Sequence, residues 1–135
     1  GNGSYLNQTD GARASATPVS AGGGYLGNNI NVVIYLFASL SGVSKIGGVV
    51  HSGTTNVDAG FSSGSRFVLV KRVDGVGDWL TWDGTRGIVS GNDPYLALNS
   101  TAAEVTNTDY IDPYSAGFTL TSNLTSGTYL YYAIA

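Results

Sequence analysis

The chain has one histidine, His51, one glutamate, Glu104, and no cysteine. Those counts bound its chemistry. Without cysteine there are no disulfides, no Cys–zinc sites and no thiol catalysis. A Ser–His–Asp relay would have to run through His51, which sits in a Gly-Ser-Thr neighbourhood, with Asp58 as one carboxylate within reach on paper. Paired carboxylates for glycosidic cleavage would draw on Glu104, at a separation that only the fold can set. Asp74-Gly75-Val76-Gly77-Asp78 places two carboxylates round a loop, and Asp109, Asp112 and Pro113 offer a second such group. Calcium takes about six to eight oxygen ligands, so two aspartates with Gly spacing read as a solvated turn. The expectation is a non-enzyme with no metal and no cofactor.

Binding chemistry is better represented. Trp79-Leu80-Thr81-Trp82-Asp83 offers two indole rings, and a Trp face can stack on a sugar ring. Positions 79 and 82 differ by three, so on a strand the rings point to opposite faces and one of them enters the core. Asp83 and Arg86 flank Gly84 and can pair across a turn. If the chain reads glycans, the expected ligand residues are Trp79, Asp83, Arg86 and Tyr95, around the Asp74–Asp78 and Gly91–Pro94 turns, because loops on a rigid scaffold carry recognition. Tyr129-Leu130-Tyr131-Tyr132 alternates along a strand. One of its faces belongs to the core, and the other suits an interface, where Tyr is favoured. The expected oligomer contacts are Val32, Ile34, Tyr35, Phe37, Tyr129 and Tyr131.

The elements that must hold these residues follow from composition. Only 11% of residues are charged, against roughly 25% in an average domain, and 20 of 135 are Gly. A helical bundle needs many more Glu, Lys, Arg and Leu; short strands and turns fit instead. Nine Tyr, four Phe and two Trp spread along the chain argue for a packed core and against disorder. The net charge is −3, and Lys71 and Arg72 are the only adjacent cations, so nucleic-acid binding is not expected. No apolar run approaches the ~18 residues of a spanning helix, and membrane insertion is not expected. The start, Gly1-Asn2-Gly3-Ser4, does not read as a signal peptide.

Gly, Asn and Asp clusters mark the turns, and β-branched and aromatic runs between them mark strands. The expected strands are 32–38, 43–51, 54–61, 66–72, 78–82, 95–99, 117–121 and 128–135, with one helical turn at 101–105. Arg66-Phe67-Val68-Leu69-Val70-Lys71 is apolar on both faces at its centre, the mark of a central strand. Residues 1–6 echo 91–96, and Ile34–Ala38 echoes Tyr129–Ala133. Residues 1–40 are therefore read as the back half of a preceding module, and 41–135 as a complete one.

Several segments carry a resemblance. They are Phe67–Asp74, Gly77-Asp78-Trp79-Leu80-Thr81-Trp82-Asp83-Gly84-Thr85-Arg86-Gly87-Ile88, Asp93–Glu104, Gly117-Phe118-Thr119-Leu120 and Tyr129–Ala135. Together they cover about two thirds of the chain, in order. They resemble a family of bacteriophage structural domains found in tail-fibre-like and other virion proteins. The resemblance implies a place on the virion surface or tail and a structural role. The fold expected is an antiparallel β-sandwich, jelly-roll or lectin-like, with a small up-and-down barrel as the alternative. The function expected is a tail-fibre or decoration module that forms a homo-oligomer or joins other virion proteins. An adhesin reading host glycan and a polysaccharide depolymerase are the other two readings.

Overall fold

The computed structural model describes residues 37–135. Eight strands follow in chain order: β1 Ser44–His51, β2 Thr55–Asp58, β3 Phe67–Arg72, β4 Trp79–Asp83, β5 Leu96–Ala97, β6 Ile111–Tyr114, β7 Gly117–Leu120 and β8 Gly127–Ile134. All pairing between them is antiparallel. One sheet has the order β1-β8-β3-β4-β5 and the other β2-β7-β6. The two open sheets form a β-sandwich, and neither closes into the alternative barrel. The first strand pairs with the last and the second with the seventh, a nested wrap of the jelly-roll kind. The wrap departs from a regular jelly roll where β4 folds back on β3 and stays in the same sheet.

Alternation along the strands decides what the sandwich buries. In β3, Val68 and Val70 point inward; in β8, Tyr129, Tyr131 and Ala133 do, and Trp82 enters from β4. The smaller sheet answers with Val57, Ile111, Phe118 and Leu120. The Phe118 and Tyr131 rings meet edge to face, 5.5 Å apart, across the two sheets. β3 lies between β8 and β4, the central position its apolar run predicts.

Boundaries differ from expectation where side chains intervene. The strand expected over 54–61 stops at Asp58, whose Oδ1 accepts from Gly60 N at 2.8 Å and turns the chain. The strand expected over 95–99 shortens to β5. No helical turn forms at 101–105: Val105 and Tyr95 exchange two backbone hydrogen bonds, 2.9 and 3.1 Å, which hold that stretch extended. β6 is the strand the sequence hid, since Pro113 interrupts its pattern. Pro is tolerated there because β6 is the outer strand of its sheet. Of the expected strand at 32–38 and the N-terminal segment 1–40, everything before residue 37 lies outside the described residues.

Candidate functional site

The four expected ligand residues do not form one site. β4 runs from Trp79 to Asp83, so these two lie at opposite ends of a strand roughly 13 Å long. Trp79 stands beside Lys71 on the outer face of the large sheet and is 44% exposed, whereas Trp82 is fully buried. The i, i+3 spacing thus separates the two rings as expected. Tyr95 is away from Trp79; its ring packs between the buried Trp82 and Tyr110.

At the Asp83 end, the carboxylate shapes the turn. Asp83 Oδ1 accepts from Thr85 N and Arg86 N at 2.9 and 3.0 Å, and Oδ2 accepts from the Arg86 guanidinium. These N–H donors, the Arg86 amide first, hold the carboxyl below its usual range. Arg86 Nε also donates to Glu104 at 2.7 Å. The group borders an open hollow of about 790 Å³ that Arg66 and Ile134 also line. At the other end of β4, Arg72, Asp78, Leu80, Tyr95, Tyr110 and Tyr129 border a cleft of about 170 Å³.

The residues considered for catalysis are tied into the framework. His51 is buried, with Nδ1 3.0 Å from Thr55 Oγ1 and Nε2 3.1 Å from the Leu124 carbonyl. A carbonyl only accepts, so Nε2 carries the proton and Nδ1 accepts from the threonine. No Ser–His–Asp relay runs through that ring. Asp58, the paper partner, turns the chain instead. Gly60-Phe61-Ser62-Ser63-Gly64 spells a nucleophile-elbow pattern, but an elbow joins a strand to a helix and this stretch joins β2 to β3. Glu104 is engaged by Arg86.

Asp74 and Asp78 do not share a ligand position. Asp74 accepts from Arg72 Nε at 2.8 Å and Thr128 N at 2.9 Å, and the Arg72 bond above all keeps its carboxyl low. Asp78 accepts from Asn99. Among the described residues, no three His, Cys, Asp or Glu groups are placed to hold one metal ion. The carboxylate that sequence reasoning missed is Asp93. It is fully buried, its Oδ1 accepts from Val89 N at 2.6 Å, and its Oδ2 has no partner among the described residues. Burial first, then the Asp109 and Asp112 charges, push its pKa up to about 6. Gly91-Asn92-Asp93-Pro94 reads as an exposed turn, and nothing in it signals that its aspartate turns inward.

Two of the expected oligomer contacts are corrected. Tyr129 and Tyr131 face the interior. The Tyr131 ring covers Gly47, its cross-strand partner, where a Cβ would lie 2.6 Å from the hydroxyl. Tyr129 donates its hydroxyl to the Thr125 carbonyl at 2.7 Å and packs edge-on to His51. The alternation was right and the choice of face reversed: Leu130 and Tyr132 point outward. Phe37 is exposed and its ring lies 4.6 Å from Tyr132 on that outer face. Val32, Ile34 and Tyr35 lie outside the described residues.

The outer face of the large sheet is itself apolar. Ile46 and Val50 of β1, Leu130 and Tyr132 of β8, Phe67 and Leu69 of β3 and Trp79 of β4 share it by register. Ile46, Val50, Leu130 and Trp79 are exposed. A solvent-facing side of an antiparallel sheet ordinarily carries polar residues.

A family described as a domain of unknown function, DUF7483, matches residues 2–135, and the chain belongs to that family. No curated protein and no solved structure matches it.

Proposed function

We propose that this DUF7483 chain is a non-enzymatic structural module of a bacteriophage particle, in a tail fibre or a surface decoration, that packs into a homo-oligomer. The virion assignment rests on the sequence resemblance described above. The observation that carries the oligomer is the apolar outer face of the five-stranded sheet. Apolar area of that kind gains free energy when removed from water, at about 25 cal/mol per Å², and extended exposed patches mark interaction surfaces.

A second copy is the occupant that fits. The face carries little charge by which another partner could be selected, with Lys71 and Asp83 near its margins. A patch of one chemical character matches itself across a two-fold axis. The contact we propose is face to face and not strand to strand, because β1, outermost among the described strands, carries Lys45, and an edge lysine opposes strand addition. The non-enzymatic reading is supported by the hydrogen bonds at both His51 ring nitrogens and by the pairing of Glu104 with Arg86.

Light scattering on the full chain tests the reading. The wild type is expected to be oligomeric, and the double variant Ile46→Lys, Leu130→Lys to be monomeric with its strand signature in circular dichroism intact. A monomeric wild type, or a double variant that stays assembled, overturns it.

A further inference from the structure

We infer that the cleft between the β3–β4 turn and the Tyr95–Tyr110 pair is a binding subsite for one neutral sugar ring, a hexopyranose or an N-acetylhexosamine. Its volume of about 170 Å³ falls below the roughly 300–1,000 Å³ of pockets for drug-sized ligands. That is the scale of a single ring and not of an extended chain. Its apolar wall is made by Tyr110 and Leu80 with the edge of Tyr95, whose ring is held between Trp82 and Tyr110. Aromatic walls of this kind take the C–H face of a pyranose, while a few placed polar groups fix its hydroxyls.

Those polar groups are held in advance. Arg72 donates Nε to Asp74, and Asp74 is itself anchored by Thr128 N. Three glycines close round the same arginine. A Cβ at Gly75 would lie 3.0 Å from the guanidinium carbon, one at Gly77 3.0 Å from Arg72 Cβ, and one at Gly127 2.7 Å from Nε. The terminal nitrogens of Arg72 have no acceptor among the described residues. Asp78 is oriented on the acceptor side: its Oδ1 accepts from Asn99 Nδ2 at 2.9 Å, and Asn99 Oδ1 accepts from Trp79 N at 2.9 Å. Its second oxygen has no donor among the described residues. A fixed donor and a fixed acceptor beside an aromatic wall suit neighbouring hydroxyls, and rigid groups lose little entropy on binding. Arg72, Asp74 and Asp78 together carry one net negative charge, which disfavours an anionic ligand.

An arginine that only stapled its own loop would account for the Asp74 contact. It would not account for Asp78 being oriented by a separate residue at the same cleft, nor for Tyr110 and Leu80 lining it.

Saturation-transfer NMR on the full chain, with the methyl glycosides of glucose, galactose, mannose and N-acetylglucosamine as probes, decides the matter. Transfer to at least one probe is expected, with Arg72→Gln and Asp78→Asn each weakening it by about tenfold, the loss of a charge-assisted hydrogen bond. Thr85→Ala, at the far end of β4, should bind as the wild type does. If Arg72→Gln fails to fold, Asp78→Asn decides alone, because the amide oxygen still accepts from Asn99. No transfer to any of the four probes, or wild-type binding by Asp78→Asn, overturns the inference.

Discussion

Asp93 is the residue whose surroundings depart furthest from its ordinary chemistry. Its carboxyl is sealed in beside Asp109 and Asp112, with one oxygen unpartnered among the described residues. A pKa raised to about 6 means the folded chain holds that proton more tightly than the unfolded chain, whose carboxyl titrates near 3.9. The group's contribution is therefore complete below about pH 4 and is lost as pH rises through about 6. Asp74 and Asp83, with lowered values, act in the opposite direction and at lower pH, losing their contribution as they protonate. Asp93→Asn keeps an oxygen for Val89 N and removes the titration. Its unfolding free energy, measured by denaturant from about pH 4 to pH 7, should stay flatter than the wild type's, with a difference of up to about 3 kcal/mol, the worth of a two-unit shift. Parallel curves for the two proteins would refute the assignment.

The two tryptophans give a second test at the same scale. Trp82 is fully buried and Trp79 is exposed. Trp82→Ala should cost about 3–5 kcal/mol through the cavity it leaves, and Trp79→Ala less than about 1 kcal/mol. Thermal unfolding compares them directly, and similar losses would contradict the face assignment. Their opposition was legible because strand geometry alone requires it. The inward turn of Asp93 was not, because it depends on packing between segments far apart in sequence.

At the scale of elements, legibility tracked how much each strand depends on its own residues. β3 announces itself, since its apolar centre needs cover on both sides and its neighbours supply it. β8 shows its alternation equally well, but alternation alone does not say which face goes in. Gly47 decides that: the missing side chain on β1 makes room for the Tyr131 ring, so the odd-numbered residues of β8 turn inward. This is a cross-strand fact, invisible along either strand taken singly. β6 was hidden for the complementary reason. Its Asp-Pro pair reads as a turn, and only its outer position in the small sheet makes that pair tolerable. The 101–105 stretch has helix-compatible Ala and Glu residues, yet the Tyr95–Val105 bridge overrides that weak local preference. The candidate ligand residues suffered likewise. Proximity in sequence grouped Trp79 with Asp83 and Arg86, while a strand of only five residues set them at opposite ends of the sheet.

For the whole molecule, the double-sided apolar character of β3 and β8 has a consequence that the sandwich alone does not meet. One face of the large sheet is covered by the small sheet; on the other, Ile46, Val50, Leu130 and Trp79 are exposed among the described residues. If copies associate through that face, the driving force is hydrophobic, and it differs in two measurable ways from association through charges. Charge pairing weakens as salt shortens the Debye length from about 10 Å at 0.1 M to about 3 Å at 1 M. Hydrophobic association does not, and strongly hydrated salts such as sulfate strengthen it. Hydrophobic association also weakens on cooling, because its enthalpy is near zero at room temperature and its heat-capacity change is large. Sedimentation equilibrium of the full chain should therefore show a dissociation constant that is unchanged or lower at about 1 M NaCl, lower again in sulfate, and higher near 4 °C than at 25 °C. Dissociation by NaCl would point instead to ion pairs such as those of the Arg86 group at the margin of the sheet. That result would move the contact from the apolar face to the loop end, and the Ile46→Lys, Leu130→Lys variant would then assemble as the wild type does.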